Sequence, residues 1–381
     1  MNLELTAEQR AARDEFRAFV TAEIAPHAGR WDREAATPAA LIDQLRERRY
    51  LGSNVHRDWG GVGRDMITYG LLTEEIGKGC SSIRSLLTVH DMVAHAIQRW
   101  GSPAQKERYL PRMARGEILG ALALSEPEAG SDAKSVQTTA RLEGETWILD
   151  GRKKWTTYGQ LAGLFLVLAQ VDGDSGNKPT AFLVERDSPG VTVKPLAGIT
   201  GTRASMLAEI FFDGARVPKE NALGRPGFGL SHIIFTALEH GRYSVAWGSV
   251  GVGQACLDAS RAYAAGRVQF GVPLADHQLI RRMLTNMIAE VRAARLLCLR
   301  AGWLRDQGDP GASGEIMVAK YYASTMATRA ALDAVQIHGA NGCSEDYPVE
   351  RYLRDSRVLE IIEGSTQIQQ ITIPLFELQE F

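Results

Sequence analysis

The sequence predicts an α+β protein in three parts, helical, then β, then helical, and three observations carry that prediction. Apolar residues recur at helical spacing over residues 1–121, at every second position over 122–228, and at helical spacing again over 229–381. At 381 residues the chain exceeds one hydrophobic core, since domains cluster near roughly 100–150 residues, and each texture has the length of a packed unit.

In the first part Thr6 can cap the opening turn of "TAEQRAARDEFRAFVTAEIAPHA", and Phe16, Phe19, Val20 and Ile24 recur at helical spacing until Pro26 stops the run. A glycine-rich loop, "HRDWGGVGRD", leads to a second helical block through "MITYGLLTEEIGKG" and "SSIRSLLTVHDMVAHAIQRWG". In the second part Asp150-Gly151 signals a hairpin turn, because both central residues of a type I′ turn need positive φ. The runs "LFLVLAQV", "TAFLVER", "VTVKPLA" and "AEIFFDGARVP" have no helices between them, which predicts a compact antiparallel sheet or barrel. In the third part "ALEHGRYSVAWGSVGVGQACLDASRAYAAGR" is rich in small residues and apolar on more than one face, as suits a helix inside a bundle. "HQLIRRMLTNMIAEVRAARLLCLRAGWLRDQG" and "SGEIMVAKYYASTMATRAALDAVQIHG" continue the pattern.

Basic and acidic residues nearly balance, 43 against 45, so there is no field to hold nucleic acid or an anionic membrane. No apolar run reaches the ~18 residues needed to cross a bilayer. Cys80, Cys256, Cys298 and Cys343 are widely spaced, which speaks against a zinc site or a disulfide framework and for a reducing compartment. The opening "MNLELTAEQRAARDEF" reads as a charged amphipathic helix rather than a signal peptide, so a cytoplasmic location is expected.

Several familiar motifs fail on context. Gly248, Gly251 and Gly253 fall inside a helical run with no strand before them, against a dinucleotide fold. Neither a G-K-[ST] P-loop nor a G-x-S-x-G elbow is present. His90 and His95 are spaced wrongly for one helical face, so no metal site is expected.

Three stretches remain. "LALSEPEAGSDA" (122–133) offers the hydroxyls of Ser125 and Ser131 and close backbone approach at Gly130; it is either a plain loop or a cradle for a polar heterocycle or phosphate. "KKWTTYG" (153–159) offers Trp155 to flank a planar ring and Thr156 and Thr157 as donors, or else an aromatic closing the end of a sheet. "LEIIEGSTQIQQ" (359–370) holds a lone carboxylate, Glu363, among apolar neighbours, either an accident of a helix start or a base kept out of water.

Taken together, "SEPEAGSD", "RVQFGVPLADHQLI", "VQIHGANG" and "EGSTQIQ" resemble, in order and spacing, the signatures of the acyl-CoA dehydrogenase superfamily, and the resemblance covers essentially the whole chain. It implies an N-terminal helical domain (1–121), a middle antiparallel β-barrel (122–228), a C-terminal four-helix bundle (229–381), bound FAD and a homotetramer built as a dimer of dimers. Carried over by motif, Leu122, Leu124, Ser125 and Ser131 would meet the flavin or the thioester, Trp155 would shield the isoalloxazine, and Thr157 would bond its N5 edge. Arg267, Phe270 and Gln278, with Gln336, Gly339 and Ala340, would hold the pyrophosphate and adenosine across a subunit boundary, and Ser365 and Gln367 would also touch the cofactor. Arg267 suits that task because a guanidinium bridges two phosphate oxygens. Ala340 stands where relatives often have a second glycine.

By the same resemblance Glu363 is the catalytic base. Its neighbours Ile361 and Ile362 are expected to raise its pKa by disfavouring the charged form, which brings a base toward operating pH. The glutamate's own N–H and a flavin hydroxyl would polarise the substrate carbonyl, flavin N5 would take the β-hydride, and an electron-transfer flavoprotein would accept the electrons. Some relatives carry the base on the long buried helix, just before its arginine; here that position is Gly241, ahead of Arg242, and Glu239 should point elsewhere.

Substrate identity turns on "CSSIRSLLTVHDM" (80–92). Ser82 is an expected N-cap, and Arg84 and Thr88 share one face while Leu86, Val89, Val93 and Ile97 form the other. The polar face is either a solvated stripe or, by similarity to glutaryl-CoA dehydrogenases, a grip on a distal carboxylate by Arg84, Ser85 and Thr88, with Ser131, Arg242 and Gly364 near the thioester. The same stretches resemble dehydrogenases that oxidise small hydroxylated acyl groups on an acyl carrier protein during polyketide extender-unit synthesis. The expected partner is thus an acyl-CoA or an acyl-carrier-protein thioester. A flavin oxidase or oxygenase on the same fold is the rival reading.

Overall fold

The computed structural model describes residues 4–171 and 178–377. Met1–Leu3, where the N-terminal helix reading begins, and the last four residues of the third part lie outside them.

Helices α1 (Ala7–Phe19), α2 (Ala28–Glu34), α3 (Ala39–Glu47), α4 (Met66–Gly79), α5 (Ser81–Trp100) and α6 (Pro103–Ala114) form the first part. The Thr6 side chain accepts from Gln9 N while the Gln9 side chain accepts from Thr6 N, a complete capping box. Phe16, Phe19, Val20 and Ile24 are all buried, as their spacing predicts. The expected cap at Ser82 is wrong. A single extended residue, Cys80, joins α4 to α5, so the helix begins immediately after it and Ser82 already lies within the first turn.

The middle part holds β1 (Gly120–Ala123), β2 (Thr139–Glu143), β3 (Thr146–Thr156), β4 (Leu164–Val171), β5 (Lys178–Glu185), β6 (Val191–Pro195), β7 (Ala208–Pro218) and β8 (Ala222–Leu223). Their order is β6-β7-β3-β2-β4-β5-β8, with β1 and β2 following one another along the same edge of β4. The sheet is not the expected closed antiparallel barrel. Among the described residues β6 pairs only with β7 and the two-residue β8 only with β5, so the end strands never meet. Nor is it wholly antiparallel: β1 and β2 both run parallel to β4, because the chain leaves β3 for β4 by the connection 157–163 rather than a hairpin.

Asp150-Gly151 is not a hairpin turn either. It lies inside β3 at a register shift against β7, and the reversal falls instead at Gly144, φ +61°. The Asp150 carboxylate accepts from Gly214 N and from Arg141 Nη1, both at 2.7 Å, which ties the bulge to the strands on either side. The central strand β4 is buried on both faces. Leu164, Leu166 and Leu168 join the helical core, while Phe165, Val167 and Ala169 meet Trp147, Phe182, Ile210 and Phe212 in a second core. That is why β4 reads as an uninterrupted apolar run.

The third part comprises α7 (Phe235–Gly266), a small ribbon of β9 (Val268–Gln269) and β10 (Val272–Pro273), then α8 (Gln278–Asp306), α9 (Ala312–His338), α10 (Val349–Ile361) and α11 (Thr366–Glu377). α9 packs on α7, α8, α10 and α11, and α7 also packs on α4 and α5, which accounts for its lack of a polar face. α10 is fastened to both other parts: Arg354 Nη2 donates to Asp32 (2.7 Å) and its Nη1 to Thr200 O (3.1 Å), while the Asp355 carboxylate accepts from Thr202 N at 2.6 Å. The segment that follows α10 is thereby held in place. Among the described residues no helix is long and apolar enough to cross a membrane.

Candidate active site

Helices α5 and α7 pack face to face along one polar track. Arg84, Thr88 and Met92 lie one turn apart on α5, and Gly241, Ser244 and Gly248 occupy successive positions on the facing side of α7.

Glu363 closes one end of the track. A methyl group on Gly241 would fall 2.8 Å from Cδ and Oε2 of Glu363 and 2.8 Å from Sδ of Met92, so the carboxyl occupies the space that glycine leaves. Glu363 keeps some exposure as a residue, yet its Oε2 is sealed from solvent and has no hydrogen-bond partner. Burial pushes the carboxyl up from 4.5 to about 7, against the opposing pull of Arg242, Arg84 and Lys320. The expected source of that burial needs correction. Ile361 is 55% exposed and turned to solvent, and only Ile362 packs against the core. One residue apart at the end of a helix, the two isoleucines point in different directions.

The Glu363 backbone is left-handed, φ +56°, and Gly364 follows at +87°. Arg242 Nε (3.0 Å) and Gln369 Nε2 (3.3 Å) donate to Glu363 O, while Lys320 Nζ (2.8 Å) and Gln369 Nε2 (3.1 Å) donate to Gly364 O. Among the described residues the Glu363 N–H meets no acceptor. Glu239 points elsewhere, its carboxylate taking the Ser313 hydroxyl and lying 3.7 Å from Arg305.

Arg84 closes the other end. It is fully buried and takes no part in an ion pair among the described residues. Its Nη1 donates to Thr88 Oγ1 (2.7 Å) and Nη2 to Ser85 Oγ (3.1 Å), while Nε has no partner. Thr88 Oγ1 is also 2.7 Å from Ser244 Oγ. The polar stripe is therefore not solvated, and burial lowers the guanidinium from 12.5 to about 10. A buried cation whose contacts are only hydroxyls, with Glu363 and Asp355 acting on it from beyond contact, has no carboxylate paired to it.

The residues expected around the cofactor fall into two groups. Leu122 and Leu124 lie at and just beyond the end of β1, and Trp155 and Thr157 at the end of β3. Trp155 is 50% exposed at φ +66° with the Lys154 ammonium 4.9 Å over its ring, and the Thr156 hydroxyl is buried without a partner, so the ledge offers an exposed indole and an orphaned hydroxyl, which fit a planar heterocycle with polar edges. Lys154 N donates to Ser125 O (2.8 Å). Buried Glu126 organises the loop that carries Ser125 and the exposed Ser131, accepting from Lys153 Nζ (2.6 Å), Gln137 N (2.6 Å), Thr138 N (3.0 Å) and Thr138 Oγ1 (2.6 Å). Tyr158, next in line, reaches Ser82 O at 3.1 Å, which sets this ledge against the Arg84 end of α5. Ser365 caps α11 through Ile368 N (3.3 Å), and Gln367 is exposed.

Arg267, Phe270 and Gln278 form the second group with Gln336, Gly339 and Ala340, all exposed at one end of the bundle. Tyr263 joins their elements by stacking on His338 (4.2 Å) and accepting from Asn341 Nδ2 (2.8 Å). Phe270, 95% exposed, tips the β9–β10 ribbon. From Lys320 to Gln336 along α9 is about 24 Å. Within one chain this group is remote from Glu363.

Sequence reasoning missed Met92, Ser244, Gly248, Lys320 and Gln369. The signal for Lys320 was available, a lone lysine in the apolar run "IMVAKYYA".

Family profiles described as acyl-CoA dehydrogenase N-terminal, middle and C-terminal domains match residues 6–117, 121–215 and 229–374. Glutaryl-CoA dehydrogenase of Desulfococcus multivorans is 36% identical, over 99% of this chain and 98% of its own. A glutaryl-CoA dehydrogenase from Mycobacterium smegmatis, solved in complex with FADH2, superposes with TM-score 0.91 at 29% identity, covering 97% of this chain and 94% of that one. FkbI, solved as a protein for biosynthesis of the methoxymalonyl extender unit of a polyketide immunosuppressant, superposes with TM-score 0.87 at 31% identity, covering 97% and 99%.

Proposed function

Because the chain belongs to the acyl-CoA dehydrogenase family, we propose that it oxidises a short acyl thioester whose far end is acidic or polar. Membership makes it an FAD-dependent oxidoreductase acting on CH–CH bonds. The observation that carries the finer reading is Arg84, a fully buried guanidinium with hydroxyl partners and no carboxylate. A substrate carboxylate would supply the missing charge and take two parallel N–H donors.

Glu363 is the base in this reading. Held partly neutral by burial and partly ionised by Arg242, Arg84 and Lys320, it accepts the α-proton close to neutral pH. Its unused N–H is available to the thioester carbonyl, where it would stabilise negative charge developing on oxygen. FAD, when bound, supplies the acceptor for the hydride leaving the β-carbon. Leu122, Leu124, Ser125, Ser131, Trp155, Thr157, Ser365 and Gln367 would hold its flavin side. Arg267, Phe270, Gln278, Gln336, Gly339 and Ala340 of a second copy would hold the adenosine side, which requires an oligomer, in this reading a dimer of dimers. An electron-transfer flavoprotein is the proposed acceptor. About two turns of helix, roughly 11–12 Å, separate the Arg84 end of the track from the Glu363 end, which suits an acyl chain of a few carbons.

The hydroxyl pair of Thr88 and Ser244 favours a second substrate within the same chemistry, a hydroxylated acyl group on a carrier protein. Anaerobic bleaching of the flavin against glutaryl, hydroxylated three-carbon and butyryl thioesters, each on CoA and on a carrier protein, tests both. Arg84→Met should cost at least ~100-fold on the acidic or hydroxylated substrate and only a few-fold on butyryl. Equal loss on all would sink the assignment, and rapid oxygen consumption with peroxide release would point to an oxidase.

A further inference from the structure

Lys320 is fully buried on α9, and among the described residues no carboxylate pairs with it. Its ammonium donates instead to two carbonyls, Gly364 O at 2.8 Å and Glu360 O at 3.4 Å. Burying an ammonium is costly, and a backbone carbonyl repays less of that cost than a carboxylate would. What the arrangement holds is the left-handed turn at Glu363, a conformation that a non-glycine residue adopts only under constraint. Arg242 and Gln369 grip the first carbonyl of that turn, and Lys320 and Gln369 the second.

We propose that Lys320 is a positioning residue for the base, its ammonium locking the Gly364 carbonyl and its charge favouring the proton-accepting form of Glu363. The proposal rests on the reading of Glu363 as the base. The groups that act on Glu363 are Arg242 from α7, Arg84 from α5 and Lys320 from α9, all cationic. The acidic groups nearby are otherwise engaged: Glu360 lies 3.2 Å from Arg357, and Glu239 takes the Ser313 hydroxyl. Burial lowers Lys320 to about 8, against the pull of Glu363 and Glu360, so it remains mostly protonated at neutral pH.

The test uses FAD-loaded Lys320→Met and Lys320→Gln enzymes. Anaerobic flavin reduction is followed from about pH 5.5 to about 9 on the best thioester, beside thermal melts and flavin-to-protein ratios. Lys320→Met should lower kcat by ~10–100-fold with KM within ~3-fold, and move the acid limb of kcat/KM up by at least about half a pH unit. Lys320→Gln keeps a donor without the charge; it should recover part of kcat and still show the displaced limb. A lysine needed only for packing would lower the melting temperature and leave the limb in place. An unmoved limb in either folded, flavin-loaded variant overturns the proposal. So does failure of both variants to fold, which would make Lys320 structural. A wild-type rate in Glu363→Gln would instead overturn the base assignment, which separates the two outcomes.

Discussion

The Cβ atom that Gly248 lacks would fall 2.2 Å from Cδ of Arg84 and 2.9 Å from its Nε. The buried guanidinium can therefore cross α7 only where that helix has no side chain. A glycine in the middle of a long helix normally costs about 1 kcal/mol relative to alanine, and here it leaves room for a cation.

Gly248→Ala should then reproduce the Arg84→Met phenotype from a position that carries no polar group. We expect kcat/KM for the acidic thioester to fall ~100-fold and that for butyryl by less than ~5-fold, with a stability loss of ~1–3 kcal/mol from overpacking. Arg84→Met alone should raise the melting temperature, because it removes an unpaired buried charge. Combining the two substitutions should cost acidic-substrate turnover no more than either alone.

Glu363 must be ionised to accept a proton, and burial raises it to about 7. The kcat/KM profile should therefore rise with unit slope up to about pH 7 and level above it. Glu363→Gln, nearly isosteric, should lose at least ~1,000-fold in flavin reduction while retaining bound flavin, measured in a single anaerobic turnover.

Asp91 offers a test through stability. It is buried, neither carboxylate oxygen has a partner at normal hydrogen-bond geometry, and burial raises it from 3.8 to about 8 against the weaker pull of the Gly52 N–H, the Tyr69 hydroxyl and Arg64. The folded state thus keeps a proton that the unfolded chain releases, and stability should fall as pH rises from about 4 to about 8. Asp91→Asn should leave the unfolding free energy unchanged near pH 4 and raise it at pH 8 by on the order of 1–3 kcal/mol, read from denaturant melts at the two pH values. A pH-independent effect would exclude Asp91 as the source.

The Glu126–Lys153 pair gives the opposite sign. Burial works to raise Glu126, but Lys153, Thr138 and the Gln137 N–H hold it below its ordinary range. Its contribution is present above about pH 4.5 and lost as pH falls through the lowered value. Lys153→Met leaves a buried carboxylate without its cation and should cost ~3–5 kcal/mol at neutral pH. The loop that carries Ser125 and Ser131 should loosen with it, seen as a lower flavin-to-protein absorbance ratio after dialysis.

Some of the site was legible because its signals are local. A lone glutamate in an apolar run stands out, and so does an arginine four residues before a threonine. Other members are invisible for a physical reason. Gly248 looks like any helical glycine until Arg84 is laid across it. Ile361 and Ile362 look equally able to dry the base until the end of α10 turns one of them outward. Asp150-Gly151 fits a turn or a bulge equally well, and the choice is made by Arg141 and Gly214 on neighbouring strands.

The sequence by itself determined the order of helical and β parts and the family, and it singled out Glu363 as the candidate base, because periodicity and motif spacing are properties of the chain. Tertiary structure alone decided that the sheet stays open, that Arg84 is sealed without a carboxylate in contact, and that Lys320 lies against the Glu363 turn. Those outcomes depend on which distant surfaces meet. Burial and charge pairing arise only at such meetings, between residues as far apart in the chain as Arg84 and Gly248 or Lys320 and Gly364.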